Sequence, residues 1–378
     1  MFRKSLAAAL VAVGLVMSLT GCNDNKDNSD RVIDTSAYKY NLSSIVPSEY
    51  GSIGGIDVEK GSYISVIGKE KGTSYWDEVE RGARQAVDDL NKSLGYSGEN
   101  KIKLTYNAPS SKEKTGEQVN ILDEELSRYP DVVVISTVDN NACLVQFDLA
   151  MENGIPILAM DSYNKHPGMK SLVSTNNTEA GNTVSDKMIA EIGRTGKILI
   201  VSNSSESGAS LERIQGIRNR INDTEGVDIA SIVHFDKITE IKETIKEHLP
   251  EDTDVMIDDM SAEELVSYII DNDEEITGCI GTNYNATQSA LKAVALSDRA
   301  DSVSVMGFDA GIEQITALKD GSLKGIVVQN PFGIGYASVV AAARQISGME
   351  VAESVDTGYI WVTTENMESD TIKPMLYE

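Results

Sequence analysis

The residues best able to do chemistry in this chain stand just after short apolar runs. "ISVIG" leads to Lys69 and Glu70, then to the adjacent rings of Tyr75 and Trp76. "VVVISTV" leads to Asp139, Asn140 and Asn141, and "IPILAM" leads to Asp161 and Ser162. "KILIVS" is followed by Asn203, Ser204, Ser205 and Glu206, "TGCIGT" by Asn283, Tyr284 and Asn285, and "VSVMGF" by Asp309. "GIVVQ" ends in Gln329 and Asn330. Carboxylates and amides accept and donate hydrogen bonds in fixed directions. A ligand rich in hydroxyls needs that set, and flat rings suit its apolar face. Asp161 and Asp309 also admit a second reading, as an acid/base pair. Their amide-rich company favours binding over catalysis.

Known catalytic patterns are missing. His166, His234 and His248 are scattered, and no cysteine–histidine spacing suits zinc. Neither a G-x-G-x-x-G after a strand nor a phosphate-binding G-x-x-x-x-G-K-[ST] occurs, and there is no G-x-S-x-G elbow. The expectation is a protein that is not an enzyme and holds no cofactor and no metal.

The elements that must position these residues alternate. From Ser62 onward, short Val/Ile-rich runs, "DVMID" at 254–258 among them, are each followed by a helical pattern. Continuous apolar runs suit parallel strands covered by helices on both faces. Alternation sustained over most of the chain predicts a doubly wound α/β architecture. A chain of 378 residues with this many strands predicts two α/β lobes rather than one sheet. A sheet of this class binds ligands at the carboxyl ends of its strands, where the polar residues above fall. Within "GTSYWDEVERGARQAV", residues 72–87, apolar or small residues recur at helical spacing from Trp76 onward, with Thr73 and Ser74 as plausible caps. Tyr75 falls at the helix tip. Its ring and that of Trp76 are either core and rim or surfaces offered to a ligand.

Composition gives the address. The formal net charge is −26, which argues against nucleic acid as a partner. Arg3 and Lys4 precede the apolar run "LAAALVAVGLVMSL", which ends in "LTGC", Leu19 to Cys22. This resembles the lipobox of bacterial lipoproteins, in which small residues admit the peptidase and the cysteine thiol takes the lipid. Residues 1–22 are therefore read as a lipoprotein signal peptide and Cys22 as the acylated residue, bearing palmitate. The polar stretch "NDNKDNSDR" opens an expected flexible tether over 23–60. The mature protein would lie outside the cytoplasm, anchored to the cell membrane. Cys143 and Cys279 are read as buried free thiols.

Six stretches together resemble one family. They are "SYWDEVERGARQAV", "GIPILAMDS", "ERIQGIR", "CIGTNYNATQSALKAV", "SVMGFDA" and "GIVVQNPFGIGYASV", in this order across residues 62–365. In order and spacing they are similar to type 1 periplasmic binding proteins, in particular the ribose/galactose-type sugar-binding branch. The resemblance implies a periplasmic binding protein-like type I fold: two doubly wound parallel-sheet lobes joined by a three-segment hinge. The lobes would comprise 61–174 plus 331–360 and 175–330 plus 361–378. The implied ligand-binding residues are Tyr75, Trp76, Asp161, Arg213, Asn283, Asp309 and Gln329. For Arg213 a structural ion pair is an equal alternative.

Two positions depart from the family pattern. Ser162 stands where an arginine often follows the aspartate, and Leu211 replaces the first arginine of an R-x-R pair whose second member matches Arg213. The resemblance implies a monomeric, lipid-anchored receptor that captures a small sugar between closing lobes and delivers it to an ABC permease in the membrane. The alternative role is a sugar-sensing component feeding a membrane sensor kinase or chemoreceptor.

Overall fold

Val132–Ile135 and Ile157–Met160 contain no polar residue, and every one of their side chains is buried. Such strands can only sit inside a sheet covered on both faces. The computed structural model describes residues 33–112, 114–139, 141–162, 166–248 and 256–377. The signal peptide, Cys22 and residues 23–32 lie outside the described residues.

The first lobe runs α1 (Lys39–Ser43), β1 (Tyr63–Ile67), α2 (Ser74–Leu94), β2 (Lys103–Asn107), α3 (Thr115–Leu126), β3 (Val132–Ile135), α4 (Leu144–Glu152), β4 (Ile157–Met160) and β5 (Met169–Ser174). The second follows with α5 (Asn177–Glu191), β6 (Gly196–Ser202), α6 (Gly208–Asn222), β7 (Val227–His234), α7 (Ile238–His248), α8 (Ala262–Asp271), β8 (Ile276–Gly281), α9 (Tyr284–Leu296), β9 (Ser304–Phe308), α10 (Ile312–Asp320) and β10 (Leu323–Gln329). The chain then returns to the first lobe with α11 (Pro331–Ile346) and β11 (Ser354–Asp356), and ends its last strand, β12 (Tyr359–Val362), in the second.

Each sheet has six strands, in the orders β11-β5-β4-β3-β1-β2 and β12-β10-β9-β8-β6-β7. The two orders are the same pattern used twice. Every pairing between these strands is parallel except that of β12 with β10, and Val46 adds an isolated antiparallel bridge to Asp356 of β11. This is the two-lobe, doubly wound α/β fold. The last crossing falls at Thr357–Gly358, earlier than the expected boundary at 360, because Tyr359–Val362 pairs with β10. Of the expected strand "DVMID", Ile257–Asp259 is a single 3-10 turn, and residues 254 and 255 lie outside the described residues.

Helices α2 and α11 press together closely enough that a Cβ on Gly82 would meet the carbonyl oxygen of Phe332 at 2.0 Å, and one on Gly335 that of Val79 at 1.9 Å. The contact needs glycine on both sides. It fixes α2, and with it the helix tip that carries Tyr75.

Residues 33–60 depart from the expected tether. Tyr38, Leu42, Ile45, Tyr50, Ile53, Ile56 and Val58 are buried and join the first lobe's core. The Tyr38 hydroxyl donates to the fully buried Asp89 at 2.5 Å. The segment is irregular yet packed: its apolar residues fill the outer side of α2 and α11 without forming a long periodic element. It also grips the hinge. The Asn330 amide nitrogen donates to the Asn41 carbonyl at 2.7 Å and to the Thr357 carbonyl at 2.9 Å, and Ser44 Oγ donates to the same Thr357 oxygen at 2.9 Å. Two of the three crossings are thereby tied to residues 41–44. The remaining crossing is joined through Thr175, whose hydroxyl donates to Gln329 at 3.0 Å.

Candidate functional site

Asp161 stands one residue past β4, at the carboxyl edge of the first sheet. Its Oδ1 accepts the Tyr75 hydroxyl at 2.7 Å. Its Oδ2 accepts from Ser136 at 3.0 Å and Ser162 at 3.1 Å, and pairs with Lys69 Nζ at 3.2 Å. Lys69 also donates to the Ser162 hydroxyl. Burial works against ionising this carboxyl and is the largest single influence. Lys69, the Tyr75 hydroxyl and the field of Arg213 together outweigh it, so the group lies below the usual carboxylate range. The cation beside Asp161 is Lys69, which follows β1, two places from β4 in the sheet.

Asp309 holds the matching place one residue past β9. Its Oδ2 accepts the Tyr284 backbone N–H at 2.9 Å, and its Oδ1 accepts the Gln329 amide at 2.7 Å and the Tyr377 hydroxyl at 3.2 Å. Gln329 is buried and faces two ways, since its carbonyl oxygen accepts from Thr175 in the first crossing.

The aromatic pair divides its roles. Tyr75 packs against the cores of both lobes, so its ring lies between them. Trp76 is 5% exposed, belongs to the first lobe's core and meets Tyr75 edge-on at 5.3 Å. The two rings part company: Tyr75 lies between the lobes, while Trp76 is part of the first lobe's core. Residue 76 begins the buried stripe of α2, whereas residue 75 precedes it.

Arg213 is buried on α6 and makes no ion pair among the described residues. Its Nε donates to Asn177 at 2.9 Å, its Nη1 to the Thr282 carbonyl at 2.8 Å, and its guanidinium lies 4.4 Å from the Phe308 ring centroid. These contacts aim a buried cation at the carboxyl edge of the second sheet. The ion-pair alternative falls away. Asn283 caps α9, its side chain accepting the Ala286 N–H at 3.0 Å, so its oxygen is already engaged in structure.

Sequence reasoning missed several residues here. Tyr377 lies fifteen positions past the last strand, where no periodicity points to it. Lys69 and Ser162 were visible as strand-end residues, but nothing in the sequence joins them to Asp161. Thr137 and Thr282, at the carboxyl ends of the equivalent strands β3 and β8, are buried and leave their hydroxyls without a partner. Asp139 instead closes its own turn, accepting the backbone N–H groups of Asn141 and Ala142 at 2.7 and 2.9 Å.

Among the described residues no three His, Cys, Asp or Glu side chains gather as a metal site, and no helix is long and apolar enough to cross a membrane. Cys143 and Cys279 are buried free thiols, and burial pushes Cys279 up to about 12.

Known proteins resemble this chain in sequence and fold. The periplasmic binding protein domain matches residues 64–350. The chain is 24% identical over 244 residues to a putative rhizopine-binding protein of Rhizobium meliloti, covering 63% of this chain and 72% of that one. It is 20% identical over 241 residues to the ribose import binding protein of Bacillus subtilis, covering 64% and 71%. A carbohydrate transporter solute-binding protein of Agrobacterium radiobacter, solved with D-arabinose, superposes with a TM-score of 0.67 at 25% identity, over 83% of this chain and 98% of that one. A solute-binding protein of Agrobacterium vitis with bound D-fucose superposes with a TM-score of 0.67 at 21% identity, over 84% and 100%, a likeness of fold. With two matched six-stranded sheets, three crossings between them and the periplasmic binding protein domain matched over residues 64–350, the chain belongs to the periplasmic binding protein family and has its type 1 fold.

Proposed function

We propose that this protein captures a small sugar between its two lobes and hands it to an ABC permease, from a lipid-anchored position outside the cytoplasm. The observation that carries this reading is the pair of strand-end carboxylates, Asp161 and Asp309, each held by oriented donors and each beside a tyrosine ring. Carboxylates bind sugar hydroxyls by charge-assisted hydrogen bonds, and an aromatic ring covers the sugar's apolar face. Asn283, Gln329 and Arg213 would complete the second lobe's share of the site, with Tyr75 and Asp161 forming the first lobe's share and Trp76 backing Tyr75.

Mechanistically, the open lobes take sugar on one face, and closure about the three crossings brings up the second set of hydrogen bonds. The closed outline differs from the open one, and a membrane partner reads that difference. Transport by the relatives solved with bound sugars supports delivery to a permease, and "LTGC" supports the anchor at Cys22.

Native mass spectrometry tests the reading. The protein is incubated with a pool of pentoses, hexoses, amino acids and nucleosides, desalted and sprayed. One pentose or hexose retained per chain is the expected result. Retention of an amino acid or nucleoside in its place, or of nothing, overturns the assignment.

A further inference from the structure

Beyond β12 the chain wraps the second lobe and is pinned as it goes. Thr364 donates to the Leu318 carbonyl at 2.7 Å, Met367 and Met375 are buried, and Ile372 and Leu376 pack against that lobe's core. The segment carries Tyr377, 6% exposed, to the carboxyl edge of the second sheet. There its hydroxyl donates to Asp309 Oδ1 at 3.2 Å, and its ring meets Tyr75 edge-on, with centroids 5.7 Å apart. Tyr75 in turn donates to Asp161 at 2.7 Å. A continuous chain, Asp161–Tyr75–Tyr377–Asp309, therefore runs from one lobe to the other through the space between the two carboxylates.

A phenol offers what a sugar offers to these groups: a neutral O–H donor on a ring with an apolar face. The Tyr377 bond to Asp309 is also the longest that Asp309 makes, at 3.2 Å against 2.7 Å from Gln329 on the same oxygen. An aspartate oxygen has room for about two good donors, so Gln329 and Tyr377 leave Oδ1 no place for a sugar hydroxyl.

We propose that Tyr377 is a resident competitor: it occupies the ligand's place at Asp309 and must withdraw when sugar binds. The inference rests on the sugar-binding reading above and deepens it, naming a residue that sets affinity and selects ligands. Only a ligand presenting both a hydroxyl to Asp309 and a flat face to Tyr75 replaces what the tyrosine gives up. The tie also holds the sugar-free lobes together, so apparent affinity is reduced by the fraction of molecules in which the tyrosine is in place.

The test has a sugar arm and a sugar-free arm. D-arabinose, D-ribose, D-fucose and D-galactose are titrated calorimetrically into the wild-type chain, Tyr377→Phe and Tyr377→Ala. The sugar that binds is expected to bind Tyr377→Ala about threefold to tenfold more tightly, the worth of one displaced hydrogen bond, with Tyr377→Phe between. Amides of residues 363–377 should lose hydrogen-exchange protection when that sugar saturates the wild-type chain, a readout that needs no variant. Without sugar, Tyr377→Ala should scatter X-rays with a larger radius of gyration than wild type. Weaker binding by the alanine variant, or gained protection over 363–377, makes Tyr377 a fixed wall of the site and overturns the proposal. A larger radius in the variant together with no sugar bound by any form would keep the tie between lobes and sink the sugar reading instead.

Discussion

Asp161 and Asp309 are structural counterparts, one in each lobe. Both adopt left-handed backbone, with φ of 59° and 71°, directly after the equivalent strands β4 and β9. Each backbone N–H donates at 2.8 Å to a carbonyl of the next strand, Asp161 to Val173 and Asp309 to Val327. Each carboxylate accepts a tyrosine hydroxyl. Left-handed backbone is uncommon outside glycine, and aspartate is among the residues that tolerate it. The same strained device at the same place in both repeats is hard to attribute to packing alone, and strain of this kind concentrates at ligand sites.

The split between Tyr75 and Trp76 is measurable. Trp76→Ala should cost about 3–5 kcal/mol of folding stability, as removal of a large core side chain does. Tyr75→Phe should leave stability within about 1 kcal/mol. It should nonetheless alter sugar affinity, because the hydroxyl that positions Asp161 is gone. Urea unfolding of both variants alongside sugar titration checks this. A Trp76→Ala protein as stable as wild type would show that the ring is not core.

Residues 33–60 should behave as part of the first lobe. Ile45→Ala or Tyr50→Ala should destabilise the protein by about 2–5 kcal/mol. Asn330→Ala, which unties the hinge from residues 41–44, should change the ease of closure as well as stability. Thermal melts decide the first point. Melting temperatures unchanged in both core variants would restore the tether.

Stability should fall at both extremes of pH, for different groups. Burial raises Tyr75 and Tyr377 well above the ordinary phenol range, with nearby carboxylates adding to it. The neutral phenol is thus favoured in the folded state. That contribution is complete below the unfolded value of about 10 and is lost as the pH rises beyond it. The Asp161 carboxyl is held low despite its burial, so its contribution is present above the unfolded value of about 4 and is lost as the pH falls through the lower folded value. Urea midpoints across the pH range give the shape. Tyr377→Phe should flatten the alkaline loss, and an unchanged alkaline limb in that variant counts against the assignment.

Legibility in the sequence followed local chemistry. Val132–Ile135 and Ile157–Met160 were readable because strands buried on both faces are continuous apolar runs. Met169–Ser174 was not, since Lys170 and Ser171 interrupt it and its place is set by pairing with β4 and β11. "DVMID" misled for the opposite reason: a short apolar run does not by itself say strand. Residues 33–60 bury their apolar side chains on irregular backbone, which no period reveals. Asp161, Asp309 and Gln329 were readable as polar residues at the carboxyl ends of apolar runs. Tyr377 was not, because only the path of 363–377 over the second lobe delivers it.

The membrane anchor makes a separate prediction. Cys22→Ser should move the protein from the membrane fraction to the soluble fraction, and metabolic labelling with a radioactive fatty acid should be lost. A variant that stays with membranes at the wild-type level contradicts lipidation at "LTGC".

The central claim is that carboxylates from two lobes grip one sugar. Isothermal titration of the retained sugar into wild type, Asp161→Asn, Asp309→Asn and the double variant tests it most directly. Asparagine keeps the left-handed backbone accessible, so the variants should fold. The account predicts one sugar per wild-type chain. Each single substitution should lose about 1.5–3 kcal/mol of binding, at least about tenfold in affinity, and the double variant should show no measurable heat. Folded variants that bind the sugar with wild-type affinity would contradict it.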